Sequence, residues 1–214
     1  MKHLPFALVA AVMAAMTGCA QPTRSRDTAN PAIDAVVLAR QVCSNCHGVT
    51  GNAVSPNFPN LAGQTSEYLV AQLTGFRSKA RRDPGGYEYM WGLSRSLTDE
   101  QIKGLAEYFA SRVPERQPVE REPGRIAAGA TLFAEGLPEK NVPACATCHG
   151  KDAAGNGAFP RLAGQHADYV VKQLVVFQRT DERPLGAAMK VVVHELASHD
   201  IESVAAFVQA LPNR

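Results

Sequence analysis

The chain has 214 residues, of which 45% are hydrophobic and 20% are charged, and its formal net charge at neutral pH is only +2. This composition is ordinary for a globular protein, and without any basic stripe it gives no reason to expect nucleic-acid binding. The length suits one large domain or two small ones. Two domains of about 90 residues would each bury a thin core, and such domains often need a metal or a covalent cofactor for stability.

Residues 1–18 have the features of an export signal, and we exclude them from the fold. Lys2 and His3 give a short basic start, and the apolar run over 4–17 is too short to cross a bilayer comfortably. The run ends in 16-MTGC-19, which resembles the lipobox of bacterial lipoproteins, although Met16 stands where that motif usually has Leu. We therefore expect a periplasmic protein that is anchored to the membrane through a lipid on Cys19.

The cysteine count bears on the choice between lipidation and simple cleavage. Four of the five Cys lie in two C-x-x-C-H boxes, which leaves Cys19 as a lone thiol in an exported chain. Lipidation gives this thiol a role, whereas the alternative, cleavage after Ala20, would discard it. The polar residues 19–32 are predicted to form a flexible tether.

Helical patterns dominate the first predicted domain, residues 33–112. Ser66 is the predicted N-cap of an amphipathic helix, and Thr98 begins a capping box with Gln101 ahead of an apolar stripe at helical spacing. Long runs of alternating strand pattern are missing from the sequence. The predicted fold class is therefore all-α.

The chain is an internal duplication. The box 43-CSNCHG-48 returns as 145-CATCHG-150 at an offset of 102 residues, and 59-PNLAGQ-64 returns as 160-PRLAGQ-165 at an offset of 101. Further matches keep the same order: Tyr68, Gln72, Leu73, Phe76 and Arg82 with Tyr169, Gln173, Leu174, Phe177 and Arg183, then Met90, Leu97 and Ile102 with Met189, Leu196 and Ile201. The Pro-rich, charged segment 113–124 is the predicted linker, and residues 125–214 are the second domain.

The C-x-x-C-H box is compatible with three kinds of chemistry. A structural zinc site would need a second thiolate pair nearby, and the two pairs are 102 residues apart. A thioredoxin-like dithiol would need a βαβ context, which the helical pattern does not provide. A c-type haem needs export, helices and a His directly after the second Cys. The sequence therefore predicts two covalent c-type haems, one attached through Cys43 and Cys46 and the other through Cys145 and Cys148.

Each haem iron needs axial ligands, and His47 and His149 are the first of these. Of the five Met, three fall in the signal region, so the mature chain keeps Met90 and Met189, one in each half at matching positions. A lone Met is usually a filler of the core, but two survivors at equivalent positions favour ligation. Only the second half offers competing histidines, His166, His194 and His199. These have no counterparts in the first half and are predicted to be surface side chains.

Residues around the ligands are candidates for holding the haem histidines and the haem propionates in place. A carbonyl oxygen of Pro59 or Pro160 can accept a hydrogen bond from the Nδ1–H of the haem histidine that precedes it. Arg82 and Arg183 either pair with the haem propionates or lie on the surface, and the sequence leaves both interpretations open.

Together these residues resemble the class I cytochromes c, and more closely the dihaem cytochrome c4 family, over nearly all of 33–214. The most specific stretches are 143-PACATCHG-150 and 159-FPRLAGQHADYV-170 with their relatives in the first half. The resemblance implies two small helical domains, each with a His/Met haem, that pack through a pseudo-twofold interface at which the haem propionates approach each other. It assigns the axial pairs His47 with Met90 and His149 with Met189. The stretch 87-YEYMW-91 is more aromatic than that family's usual surroundings for this Met.

The expected function is electron transfer without an open iron site, because both axial positions are filled. The resemblance suggests a place between a quinol-oxidising complex and a terminal oxidase or reductase. An alternative is the electron-accepting cytochrome subunit of a dehydrogenase complex. A third possibility, a dihaem peroxidase, would need an open iron or a ligand that exchanges, which the matched Met pair does not favour. Charges are evenly spread over the two halves, so they identify no partner.

Overall fold

Capping residues account for the starts of several helices in the computed structural model, which describes residues 25–119 and 122–212. The side chain of Asp34 accepts a hydrogen bond from the Val36 N–H, and Thr98 and Gln101 form both bonds of the predicted capping box. At the remaining predicted cap the structure differs by one residue, because Thr65 rather than Ser66 accepts the N–H of Tyr68.

Each half is a short series of helices. The first half contains α1 (Ala35–Leu38), a π-helical turn (Ala39–Cys43), α2 (Ser44–His47), α3 (Ser66–Arg77), a second π-helical turn (Gly86–Met90), α4 (Trp91–Ser94) and α5 (Asp99–Ala110). The second half contains α6 (Pro123–Glu135), a 3-10 turn (Pro138–Lys140), α7 (Ala146–His149), α8 (Ala167–Arg179), a 3-10 turn (Pro184–Gly186), α9 (Ala187–Val193) and α10 (Ser198–Ala210). The described residues form no strand beyond two isolated bridges, which confirms the all-α prediction.

Each half buries its own core around its last helix. In the first half α5 packs against α1 and α3 through buried residues such as Leu38, Ile102 and Leu105. In the second half α10 packs on α6 and α8, and Gly129 allows the closest approach, because a Cβ there would lie 2.0 Å from the Ser203 carbonyl oxygen. No helix within 25–119 or 122–212 is long and apolar enough to cross a membrane.

The two halves meet through a reciprocal pair of glutamines, Gln64 and Gln165. The side-chain amide of Gln64 accepts the backbone N–H of Arg161 at 2.7 Å and donates to its carbonyl oxygen at 3.0 Å. The amide of Gln165 does the same with the backbone of Asn60, at 2.8 and 3.0 Å. The two halves are therefore related by a pseudo-twofold arrangement in which each half satisfies buried backbone groups of the other.

We expect the double substitution Gln64→Ala and Gln165→Ala to weaken the contact between the halves. Each change leaves a buried N–H and C=O without partners, and such groups cost about 1–3 kcal/mol each. Denaturant unfolding followed by near-ultraviolet and haem circular dichroism should show a lower midpoint and separate transitions for the two halves. Gln101→Ala is a matched control, because its amide bonds Asn30 and Ile33 within the first half. A double variant with the wild-type midpoint and one transition would contradict this assignment.

Candidate metal centres

The first C-x-x-C-H box lies where a π-helical turn becomes helix α2. Cys43 ends the turn, and Cys46 and His47 follow on α2, so the two sulfur-bearing residues are three apart on one helical face. Both thiols are partly buried, and Cys43 packs against the core of the first half. The box therefore presents two thiols and one imidazole from a single rigid segment.

The ring of His47 is held by a backbone carbonyl. Its Nδ1 lies 2.9 Å from the Pro59 carbonyl oxygen, and because a carbonyl can only accept, Nδ1 carries the hydrogen. The lone pair is then on Nε2, the nitrogen available to a metal. Burial lowers the pKa of His47 despite the opposing effect of this hydrogen bond, so the ring is neutral, as metal ligation requires.

The second half repeats this geometry on helix α7. The Nδ1 of His149 lies 2.9 Å from the Pro160 carbonyl oxygen, and burial again lowers the pKa of His149. Cys145 precedes α7 and is partly buried, whereas Cys148 is exposed. The structure thus brings together the predicted box residues and the predicted Pro carbonyl in both halves.

Burial also affects the first cysteine of each box. It raises the pKa of both Cys43 and Cys145 to about 11. In the unmodified chain both sulfurs are therefore protonated at neutral pH. The described residues, moreover, contain no cluster of three His, Cys, Asp or Glu side chains that could hold a metal ion by themselves. Since a structural zinc site needs four ligands, the lack of such a cluster in this part of the chain disfavours zinc.

A glycine directly after each His turns the chain back towards it. Gly48 has φ +74°, and a Cβ there would lie 2.3 Å from the Asn52 carbonyl oxygen, so only glycine fits this position. The returning loop is fastened by the Gly51 carbonyl, which accepts the N–H groups of Leu61 and Ala62 at 2.7 and 3.0 Å. This closure brings the Pro59 carbonyl to the Nδ1 of His47.

Met90 is the last residue of the second π-helical turn and is partly buried. The segment that carries it is fixed on both sides. The Ser94 hydroxyl donates to the Met90 carbonyl at 2.6 Å, and the Trp91 indole N–H donates to the Arg81 carbonyl at 2.8 Å. Phe58 makes edge-to-face contacts with both His47 and Tyr89, at centroid distances of 6.2 and 5.6 Å. Phe58 therefore links the His47 site to the neighbour of Met90.

Met189 lies on α9, partly buried against the core of the second half. Among the competing histidines, His194 and His199 are exposed. The prediction for His166 was wrong, because this residue is buried where the halves meet and its Nε2 lies 2.8 Å from the Ala53 carbonyl oxygen. Since only a donor can face a carbonyl, that nitrogen carries hydrogen and is not available to an iron.

The arginine match within the repeat also needs correction. Arg82 is exposed, whereas Arg81 is buried and is the structural counterpart of Arg183. Arg81 stacks on Phe76 and Arg183 on Phe177, at 4.4 and 4.6 Å from the ring centroids. A one-residue shift in the loop hides this equivalence in the sequence, where two adjacent arginines are both available for alignment.

The donor set of each half fits one covalently attached haem. Two thiols at helical spacing suit attachment to two vinyl groups, and a neutral imidazole with Nε2 free suits one axial position of an iron. Met90 and Met189 are the candidates for the second ligand, and each would supply a thioether. When bound, the haem supplies the one-electron chemistry, while the chain supplies ligands and surroundings. Residues Cys43, Cys46 and His47 would hold one haem and Cys145, Cys148 and His149 the other.

Comparison with known proteins agrees with this chemistry. The family model described as cytochrome c matches twice, at 35–112 and at 126–212. Cytochrome c4 of Azotobacter vinelandii is 37% identical over an alignment that covers 79% of this chain and 84% of that protein. The solved structure of cytochrome c4 from Acidithiobacillus ferrooxidans has a TM-score of 0.73 and 35% identity, covering 79% of this chain and 98% of that chain.

A relative with a different name aligns over more of this chain. The thiosulfate dehydrogenase electron acceptor of Stutzerimonas stutzeri strain A1501 is 32% identical over an alignment that covers 96% of this chain and 93% of that protein.

Proposed function

The chain belongs to the cytochrome c family, as a dihaem member of the cytochrome c4 type, and we propose that it is an exported carrier passing electrons from a quinol-oxidising complex to a terminal oxidase or reductase. It has two tandem cytochrome c domains with two covalent c-type haems, and it transfers electrons. Its export and its place between these two partners are the proposed part.

The duplicated His geometry is the observation that supports a carrier. In both halves a buried neutral imidazole is fixed by a Pro carbonyl at 2.9 Å, and one Met in each half would serve as the second ligand. With Met90 and Met189 as ligands, neither iron would have a position open to a substrate, and the protein would act as a carrier rather than as an enzyme.

The test is a spectroscopic redox titration followed by reconstitution. The purified protein should show two one-electron transitions with unchanged axial ligation. The protein should be reduced when it is mixed, without oxygen, with a quinol and membranes of the source cell. When oxygen is added it should be reoxidised, and removal of the terminal oxidase should abolish this reoxidation. A protein that quinol-supplied membranes do not reduce contradicts the proposed place.

A dehydrogenase partner is the second candidate, and the alignment over 96% of the chain with a protein named as a thiosulfate dehydrogenase electron acceptor favours it. Here the chain would take electrons from a dehydrogenase bound as a stable subunit. Affinity purification from native cells distinguishes the two candidates, because only this one requires a dehydrogenase in stoichiometric amount. If thiosulfate reduces the protein in that complex without quinol, the dehydrogenase partner replaces the first proposal.

The location of the protein gives a separate prediction on Cys19, which lies outside the described residues. We propose export to the periplasm and lipidation of Cys19, on the basis of the MTGC motif and the lone thiol. Diacylated Cys anchors firmly, whereas one short chain binds marginally. The wild-type protein should therefore enter the detergent phase, and Cys19→Ser should release it or block its processing. A soluble wild-type protein that starts at Gln21 would contradict lipidation.

A further inference from the structure

A cluster of buried charged side chains lies between the two halves. Arg81 and Arg183 are 7% and 8% exposed, and Asp83 is completely buried. Their polar neighbours Gln72 and Gln173 are also buried. Water screens charges at such a position only weakly, so each acts over a longer range than a charge on the surface.

The two guanidinium groups are joined by shared amide oxygens. Gln72 Oε1 accepts from Arg81 Nη1 at 2.8 Å and from Arg183 Nη2 at 3.1 Å. Gln173 Oε1 accepts from Arg183 Nη1 at 2.6 Å and from Arg81 Nη2 at 3.3 Å. The two cations are thus bridged twice, each time by one amide oxygen. This part of the cluster follows the pseudo-twofold symmetry of the molecule.

Asp83 breaks that symmetry. Its carboxylate accepts two hydrogen bonds from Arg81, at 2.7 and 3.0 Å, and a longer one of 3.4 Å from Gln173. The residue two positions after Arg183 is Leu185, which is 64% exposed. The cluster therefore contains two guanidinium groups and one carboxylate, and the carboxylate comes from the first half alone.

Asp83 is ionised at neutral pH. Burial by itself would raise the pKa of its carboxyl group, but the hydrogen bonds and charge of Arg81, with a contribution from Arg183, hold that pKa below its ordinary value. The negative charge is therefore a permanent feature of the folded protein over the physiological range.

The backbone connects Asp83 directly to the segment that carries Met90. The Asp83 carbonyl accepts the N–H groups of Gly86 and Tyr87, at 2.7 and 3.3 Å, at the start of the π-helical turn that ends at Met90. Its connection to the second half is less direct, because it runs through the side chain of Gln173. Asp83 thus belongs to the segment that supports one proposed ligand, and its carboxylate reaches the second half through Gln173.

We propose that Asp83 is a positioning residue that lowers the reduction potential of the first haem more than that of the second. Ferric haem carries one more positive charge than ferrous haem, so a buried carboxylate stabilises the ferric form and the neighbouring guanidinium groups oppose it. Each half contributes one arginine to the shared pair, but only the first contributes a carboxylate. The two halves therefore differ in their electrostatic surroundings, although their proposed ligand sets are equivalent.

The principal test is Asp83→Asn, which removes the charge and keeps the shape. Spectroelectrochemical titration that resolves the two haems should show both potentials raised, with the reduction equilibrium of the first changed at least tenfold, or 59 mV for one electron, and that of the second changed less. Asp99→Asn is the matched control, because it removes an 81%-exposed carboxylate that pairs with Arg77 in the same half. It should leave both potentials unchanged.

A second pair of variants covers loss of folding, since Asp83→Asn leaves two buried cations without an anion. Arg81→Gln keeps one cation and one anion, and the combined change Arg81→Gln with Asp83→Asn keeps one cation, which is the net charge of the wild-type cluster. The first potential should be higher in the combined variant than in Arg81→Gln alone. Equal first potentials in that pair, or a shift of the second haem as large as that of the first, overturn the proposal. Circular dichroism of each variant establishes that the fold is kept.

Discussion

Met90→Ala should open the iron of the first haem alone, and Met189→Ala that of the second. Residues 17–214 contain Met90 and Met189 and no other Met, so each substitution leaves its half without a second thioether to replace the lost one. Each variant should lose about half of the far-red charge-transfer band that a ferric His/Met haem gives, and should bind carbon monoxide at one haem per molecule. The potential of the altered haem should fall, because a Met ligand raises it. Loss of fold should be modest, since the covalent haem still fills its pocket.

The histidine variants provide the control for this result. His194 and His199 lie on the surface of the second half, with side chains about half and 80% exposed. His194→Ala and His199→Ala should therefore leave the low-spin spectrum of both haems intact. If one of them abolished low-spin haem in the second domain and Met189→Ala did not, the second domain would be bis-histidine and its potential correspondingly lower.

Cys148→Ser should impair maturation of the second domain and leave the first intact, with Cys46→Ser giving the reverse. Each half has its own box and its own core, so attachment in one does not depend on the thiols of the other. Mass spectrometry of the mature wild-type protein should show two covalent haems. The Cys148→Ser protein should show a complete first domain and a second that lacks one thioether, with most molecules lost or carrying one haem.

Substitution of a cysteine that belongs to neither box is the control for attachment. Cys19→Ser should leave two haems on the protein that is exported, whatever its effect on the membrane anchor. A wild-type mass with one haem or none would contradict the assignment of two attachment sites.

The sequence was sufficient for the parts of the fold that depend on local signals. The capping box at Thr98 and the Pro carbonyl facing each haem histidine follow from neighbouring residues and a fixed spacing along the chain. The repeat also located Gln64 with Gln165 and Gln72 with Gln173 as matched positions. It could not show that matched residues face each other, because contact across a pseudo-twofold axis leaves no periodicity in either half.

The two incorrect predictions, for Arg82 and His166, have the same physical origin. Arg82 matched Arg183 in sequence, but a single-residue difference in loop length places Arg81 in the equivalent position instead. His166 has no counterpart in the first half, which suggested a surface side chain, whereas contact with the other half buries it against Ala53. Both cases depend on how the halves pack, and a polar residue at such an interface has the same sequence pattern as one in water.

The glutamine pair also explains how the two copies could diverge without separating. Gln64 and Gln165 each bind the main chain of the opposite copy, and every residue type except proline offers the same N–H and C=O there. The side chains at the two recognised positions have in fact become different, Asn60 in one copy and Arg161 in the other. The Asn60 amide adds a bond of its own to the Gly164 carbonyl at 2.9 Å, but the glutamine contacts themselves do not depend on the side chains that they face. Evolution is therefore free to alter the surface and electrostatics of each copy while the two halves stay docked.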